Sequence, residues 1–82
     1  LMAPVHVVII PKEHIATILD VSEERMAVMG AMVSAAREVA SKKGIDKSGF
    51  RVVINCNKEG GQVIFHLHMH VLGGKTLPDG LS

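Results

Sequence analysis

The residues best suited to chemistry in this chain stand together in "FHLHMHVLGG", residues 65–74, where His66, His68 and His70 alternate with Leu67, Met69 and Val71. In extended backbone every second side chain points to the same face, so this spacing lines one surface with three imidazoles and the other with apolar groups. An imidazole can bind a metal, move a proton or attack an electrophile.

Metal binding is constrained by distance. Zn–N bonds of about 2.0–2.1 Å hold ligand nitrogens only about 3.3 Å apart, whereas Cα atoms four residues apart on a strand are separated by about 13 Å. The three histidines therefore strain to share one ion, and a His-x-His pair joined by His6 from an adjacent strand is the metal alternative that stays open. Plain packing is poorly served by three polar rings in one layer. Nucleophilic attack on phosphorus suits them better, because a ring with an ordinary pKa of about 6.5 is largely neutral at pH 7. The attacking nitrogen must then be free, with the proton on the other nitrogen held by an acceptor, while flanking histidines contact phosphate oxygens or a leaving group. The preceding "EGGQ" adds Gly60 and Gly61, where backbone N–H groups can approach a phosphate. A double glycine alone is an ordinary turn, and its place just before the histidines gives it weight.

These groups need elements to hold them. "VHVVII", residues 5–10 and closed by Pro11, reads as a strand covered on both faces. "KEHIATILD" suggests a short helical turn. Residues 22–44 read as a long helix, capped by Asp20 or Ser22 and ended by Lys42, Lys43 and Gly44. Its core stripe is expected at Met26, Met29, Val33, Ala36 and Ala40, with Met32 and Val39 beside it, and Gly30 could mark a close approach. "FRVVIN", residues 50–55, is a second strand, "CNKEGG" a turn, and "VIFHLHMHVL", residues 63–72, a third. The last two form an antiparallel pair, with the histidine strand central. The tail from Gly73 onward carries turn signals and is expected on the surface. The expected architecture is an α+β fold: an antiparallel β-sheet with one long helix packed on one face and the histidines on the other.

At 82 residues the chain is one domain, 1–82, and a domain of this size buries only about 60% of its unfolded surface. Hydrophobic residues make up 48% and charged residues 21%, which excludes a disordered chain and gives no membrane span. Two phenylalanines and a net charge of +1 offer neither a stacking platform nor a basic footprint, so nucleic acid is not an expected partner. The single cysteine, Cys56, is expected as a buried thiol in a reducing, cytoplasmic setting. The opening "LMAPVHVVIIP" lacks the basic n-region of a secretory signal.

"GGQVIFHLHMHVLGG" resembles the His-x-His-x-His signature of the histidine triad (HIT) superfamily of nucleotide hydrolases and transferases, and "APVHVVIIPKEHI" and "FRVVIN" look like the strands around its long helix. The resemblance runs from about Ala3 to Lys75, and "HVLGG" is similar to the purine nucleoside phosphoramidase branch. It implies that His68 is the nucleophile forming a nucleotidyl-histidine intermediate, that His66 orients it through nearby backbone, and that His70 contacts phosphate and leaving group. It also implies a supporting His6, a phosphate-site Asn55, and an α-phosphate wrapped by Gly61, Gln62 and Val63. The implied reaction releases a purine nucleoside monophosphate, of AMP or GMP type, from a phosphoramidate or aminoacyl-adenylate, in a homodimer and without a cofactor or metal.

Two departures stand out. Val63 replaces a polar side chain common in this branch, and only its backbone N–H can help a leaving group. Family members also carry some 30 residues before this point, including the first strands, a base pocket and often a zinc-binding Cys pair, so the chain reads as a HIT domain lacking its first strands. A non-catalytic nucleotide-binding scaffold is accordingly an alternative function. His14, in "PKEHI", is expected to bond backbone at the start of the short helix rather than to take part in catalysis.

Overall fold

The computed structural model describes residues 3–79. Strand β1 (Val5–Ile9) is followed by two 3-10 turns, at Ile18–Asp20 and Glu23–Arg25, then helix α1 (Ala27–Lys42), β2 (Phe50–Val53) and β3 (Met69–Gly73). The sheet is antiparallel with order β1-β3-β2, which puts β3 in the centre. The expected α+β arrangement, one long helix on one face of an antiparallel sheet, is the one observed.

Register decides what each face carries. Val7 and Ile9 oppose Val71 and Met69, while His6 and Val8 oppose Leu72 and His70. Met69 and Val71 join Met32, Ala36 and Ala40 of the helix, together with Ile15, Ile45 and Leu67, in one apolar core. Alternation then sends His6, Val8 and His70 to the face away from the helix. β1 is therefore covered on one face only, with His6 and Val8 exposed, because a single helix covers a single side of the sheet.

The helix departs from its expected stripe. Met26 and Val33 are exposed, and the buried line is Met32, Ala36 and Ala40. Met26 precedes the α-helix as the residue that closes the 3-10 turn over Glu23–Arg25, and Val33 lies about 100° around the helix from Met32, the rotation of one residue, on the edge of the buried face. Ser22 makes no side-chain cap bond. Asp20 instead closes a capping box with Thr17, whose hydroxyl accepts from the Leu19 N–H. At the other end, Gly44 adopts φ +70 and the Ile45 N–H reaches the Ala40 carbonyl, a Schellman-type stop that tucks Ile45 into the core. Gly30 marks no close approach, since a Cβ there would meet nothing within 4 Å.

The third strand is shorter than the expected 63–72. Pro11 has no N–H to donate, and the β1 ladder ends at Ile9 opposite Met69. The β2 ladder stops at Val53 opposite His70. Residues 63–68 consequently have no strand beside them, and the chain bends over 64–66 before entering β3.

Candidate active site

The apolar side of the histidine segment explains its placement. Leu67, Met69 and Val71 are the most deeply buried large side chains of the domain, and His66, His68 and His70 between them are half-buried. Alternation thus persists through a segment that is only partly β-strand. What replaces the ladder before Met69 is the chain just after β1: the Leu67 N–H donates to the Ile15 carbonyl at 2.6 Å, and His66 Nε2 donates to the Pro11 carbonyl at 3.1 Å.

The rings fall into two groups. His68 and His70 meet edge to face with centroids 5.0 Å apart, and His70 Nδ1 shares a 2.9 Å hydrogen bond with His6 Nε2 from β1. His66 turns the other way and meets His14 edge to face at 5.0 Å. His14 therefore packs on a histidine, and the cap of the short helical turn is Thr17.

Protonation follows from the partners. His68 Nδ1 lies 2.7 Å from the His66 carbonyl oxygen, which can only accept, so Nδ1 carries a proton, and in the neutral ring Nε2 is the nitrogen with a free lone pair. His70 is pushed below the ordinary histidine value by burial first, then by the neighbouring His68 and His6. Among the described residues, no group of three His, Cys, Asp or Glu side chains is placed to hold a metal ion.

The glycine turn lies just upstream. Asn55 Nδ2 donates to the Gly60 carbonyl at 2.7 Å, which fastens the turn to the end of β2. A Cβ on Gly60 would fall 2.3 Å from the Cys56 carbonyl oxygen, so the turn closes only around glycine, and Gly61 follows with φ +84. Cys56 itself is half-buried rather than buried, because it stands at the mouth of this turn and not within a strand.

Of the expected phosphate segment, Val63 is 86% exposed, whereas Gln62 is 5% exposed and its side chain points inward. The structure thus brings the rings of His6, His68 and His70 together, sets the His66 ring against His14 and ties His66 to His68 through its carbonyl, with the turn of Gly60 and Gly61 just upstream. It turns the Gln62 side chain away from the surface a ligand could reach. The bracing by Pro11 and Ile15 is a backbone feature with no signal in residue type. Pro11, as a strand terminator, was the only hint of it.

The fold and the histidine cluster together define a class, and comparison with known proteins agrees: the HIT domain family matches residues 2–77. The chain belongs to the HIT domain family. It is 44% identical over 75 residues to the purine nucleoside phosphoramidase of Escherichia coli, covering 92% of this chain and 63% of that protein. It is 47% identical over 75 residues to a HIT-like protein of Chlamydia pneumoniae, covering 92% of this chain and 67% of that one. Among solved structures, a HIT family hydrolase from Clostridium thermocellum superposes with a TM-score of 0.93 at 41% identity, covering 100% of this chain and 71% of that one. A histidine triad protein from Clostridium difficile does so with 0.93 at 38% identity, covering 96% and 69%. The chain thus spans a little under two thirds of the length of the phosphoramidase it matches. No helix among the described residues is long and apolar enough to cross a membrane.

Proposed function

We propose that the chain is the phosphate-handling part of a nucleotidyl hydrolase that cleaves purine nucleoside phosphoramidates or aminoacyl-adenylates. The observation that carries this reading is the 2.7 Å bond from His68 Nδ1 to the His66 carbonyl, which leaves Nε2 as a neutral nucleophile. In the first step Nε2 forms a bond to the α-phosphorus and the bond to the leaving group breaks: P–N in a phosphoramidate, whose amine leaves with a proton taken from solvent, or P–O in an aminoacyl-adenylate, whose aminoacyl carboxylate leaves as the anion. In the second, water attacks phosphorus, the P–Nε2 bond breaks, and the nucleoside monophosphate leaves. His70 contacts phosphate and leaving group, His6 supports His70, and Asn55, Gly61 and the backbone at Val63 shape the phosphate site. Likeness to a protein named as a purine nucleoside phosphoramidase supports the substrate class.

The active species in this reading is a homodimer. Val33 and Val52 expose apolar surface at 51% and 42%, which a second copy would cover, and sedimentation at micromolar concentration tests it. The unpaired Cys56 suits a reducing compartment such as the cytoplasm.

The test of function is incubation with an adenosine phosphoramidate followed by rapid quench and intact mass. A nucleotidyl adduct in the wild type and none in His68→Ala is expected. If neither this chain nor a longer version carrying the N-terminal region of a relative forms an adduct or releases AMP, the catalytic reading is lost. A wild type that binds nucleotide but forms no adduct and releases no AMP, with His68→Ala unchanged in every one of these properties, would favour the non-catalytic scaffold instead.

A further inference from the structure

Gln62 is the most buried polar side chain of the site region, at 5% exposure. A glutamine amide offers one oxygen acceptor and two N–H donors. Here Oε1 accepts from the Asn57 N–H at 2.8 Å, and Nε2 donates to the Ala16 carbonyl at 2.9 Å and to the Ile64 carbonyl at 3.0 Å. A phosphate oxygen needs donors, and both of these are spent on carbonyls.

The three partners belong to three separate pieces of chain. Asn57 opens the glycine turn, Ala16 lies in the segment after β1 that also braces Leu67, and Ile64 begins the approach to the histidines. Asn57 and Gln62 are bonded reciprocally, because the Gln62 N–H also donates to the Asn57 carbonyl at 3.0 Å. Asn57 holds a left-handed backbone at φ 61 and Gly61 one at φ +84, so the turn begins and ends at residue types that adopt this conformation readily, and the Gln62 amide bonds to one of these two residues, Asn57.

We propose that Gln62 is a positioning residue, whose buried amide ties the turn carrying Gly60 and Gly61 to the Ala16 segment and so sets the turn's place relative to His68. This rests on the phosphoramidase reading above. It gives Gln62, expected as one of the residues wrapping the α-phosphate, a role through its side chain that needs no phosphate contact.

The test compares wild type with Gln62→Met, which keeps the length and loses every hydrogen bond, and with Gln62→Glu, which keeps an acceptor for Asn57 and loses both donors. Two quantities are read on each: amide hydrogen exchange in the ligand-free protein and the single-turnover rate of His68 labelling. In Gln62→Met the Gly60, Gly61 and Gln62 amides should exchange about tenfold faster or more, the fold-change expected when one buried polar group loses its partner. The Val71 amide should not follow, labelling at saturation should slow by about tenfold, and KM should move by less than about twofold. Gln62→Glu should keep Asn57 protected while labelling slows, and its ratio to wild type should recover as pH falls and the buried carboxyl gains a proton to donate.

Unchanged exchange in the ligand-free variants together with a raised KM would assign Gln62 a direct phosphate contact and overturn the proposal. Faster exchange with an unchanged labelling rate would reduce it to a structural residue, which also overturns it. A wild type that never labels sinks the phosphoramidase reading and this proposal with it. A wild type that labels beside variants that behave alike isolates the failure to Gln62.

Discussion

The histidine segment has two halves held by different means. From His70 to Gly73 the chain is clamped on both sides, by β1 and by β2, with Met69 held by β1 alone, and its position follows from two ladders. From Gln62 to His68 it has no strand beside it and is held by single bonds to Pro11, Ile15 and Ala16. His70 therefore belongs to the sheet, while His66 and His68 belong to a bend fastened to the chain that follows β1. A ladder fixes a strand along its whole length, whereas isolated bonds let the turn, the bend and the nucleophile be set one by one. The candidate site is placed where regular structure ends, and its shape depends on the segment from Pro11 to Ala16.

The sharpest way to break this division is to remove one large side chain from each half. Met69 and Leu67 are each 1% exposed, and either change to Ala should cost about 2–5 kcal/mol. A chain of this length has about 4–12 kcal/mol in all, so urea unfolding should shift by a large fraction for both. Equal losses mean that the two halves unfold as one unit. If Leu67→Ala leaves the unfolding midpoint in place while Met69→Ala lowers it, the bend is a separately stable region and the shared core described above is wrong.

The next contrast is between glycines. Gly60→Ala must move the turn away from Cys56, with strain of about 1–3 kcal/mol confined to the site side, and labelling of His68 should fall with it. Gly30→Ala, on the open face of the helix, should instead stabilise the domain by about 0.5–1 kcal/mol with labelling unchanged. Thermal melting and the adduct assay on both variants check this. A Gly60→Ala protein that labels at the wild-type rate would show that the turn has no part in the reaction.

How far the sequence foretold this arrangement depends on the kind of signal involved. The helix, the three strand cores and the alternation through Leu67, Met69 and Val71 follow from periodicity, which reports burial directly. The end of β3 at Met69 does not, because strand length depends on what lies alongside, and β1 is cut short by Pro11 some sixty residues earlier in the chain. The helix stripe failed at Met26, which closes a 3-10 turn before the α-helix begins, and at Val33, which lies on the edge of the buried face, because periodicity gives the stripe's spacing more firmly than its centre. His6 was legible as a partner of the histidines, since it sits at an alternate position in a neighbouring strand. The inward turn of Gln62 was not, as a glutamine beside two glycines reads equally well as a ligand contact or as a clamp.

Acid should separate the histidine half from the core more gently. The folded pKa of His70 lies below its unfolded value of about 6.5. Below that value the unfolded chain binds a proton that the folded site resists, so this contribution to stability is present above about pH 6.5 and is lost as pH falls through the folded pKa. Urea midpoints at pH 7.5 and 5.5 should therefore differ, and His70→Gln should reduce the difference. If the variant keeps the full wild-type difference, the destabilising charge lies elsewhere.

The smallest effect is expected at an ion pair that touches the bracing segment. Glu13 follows Pro11 by two residues and pairs with Arg25 in the second 3-10 turn, with the two side chains 41% and 52% exposed. Exposed pairs contribute about 0–1 kcal/mol, because water screens them and two long side chains must be ordered. The backbone bonds at Pro11, Ile15 and Ala16 should carry the bracing instead. Arg25→Ala should then lower stability by less than about 1 kcal/mol, and the difference from wild type should vanish in 1 M salt, where the screening length is about 3 Å. Labelling of His68 should stay at the wild-type rate. A large loss of labelling in Arg25→Ala, restored in neither salt nor Arg25→Lys, would mean that the bend holding the nucleophile is steered from the helix side, and the account of two halves would have to include α1.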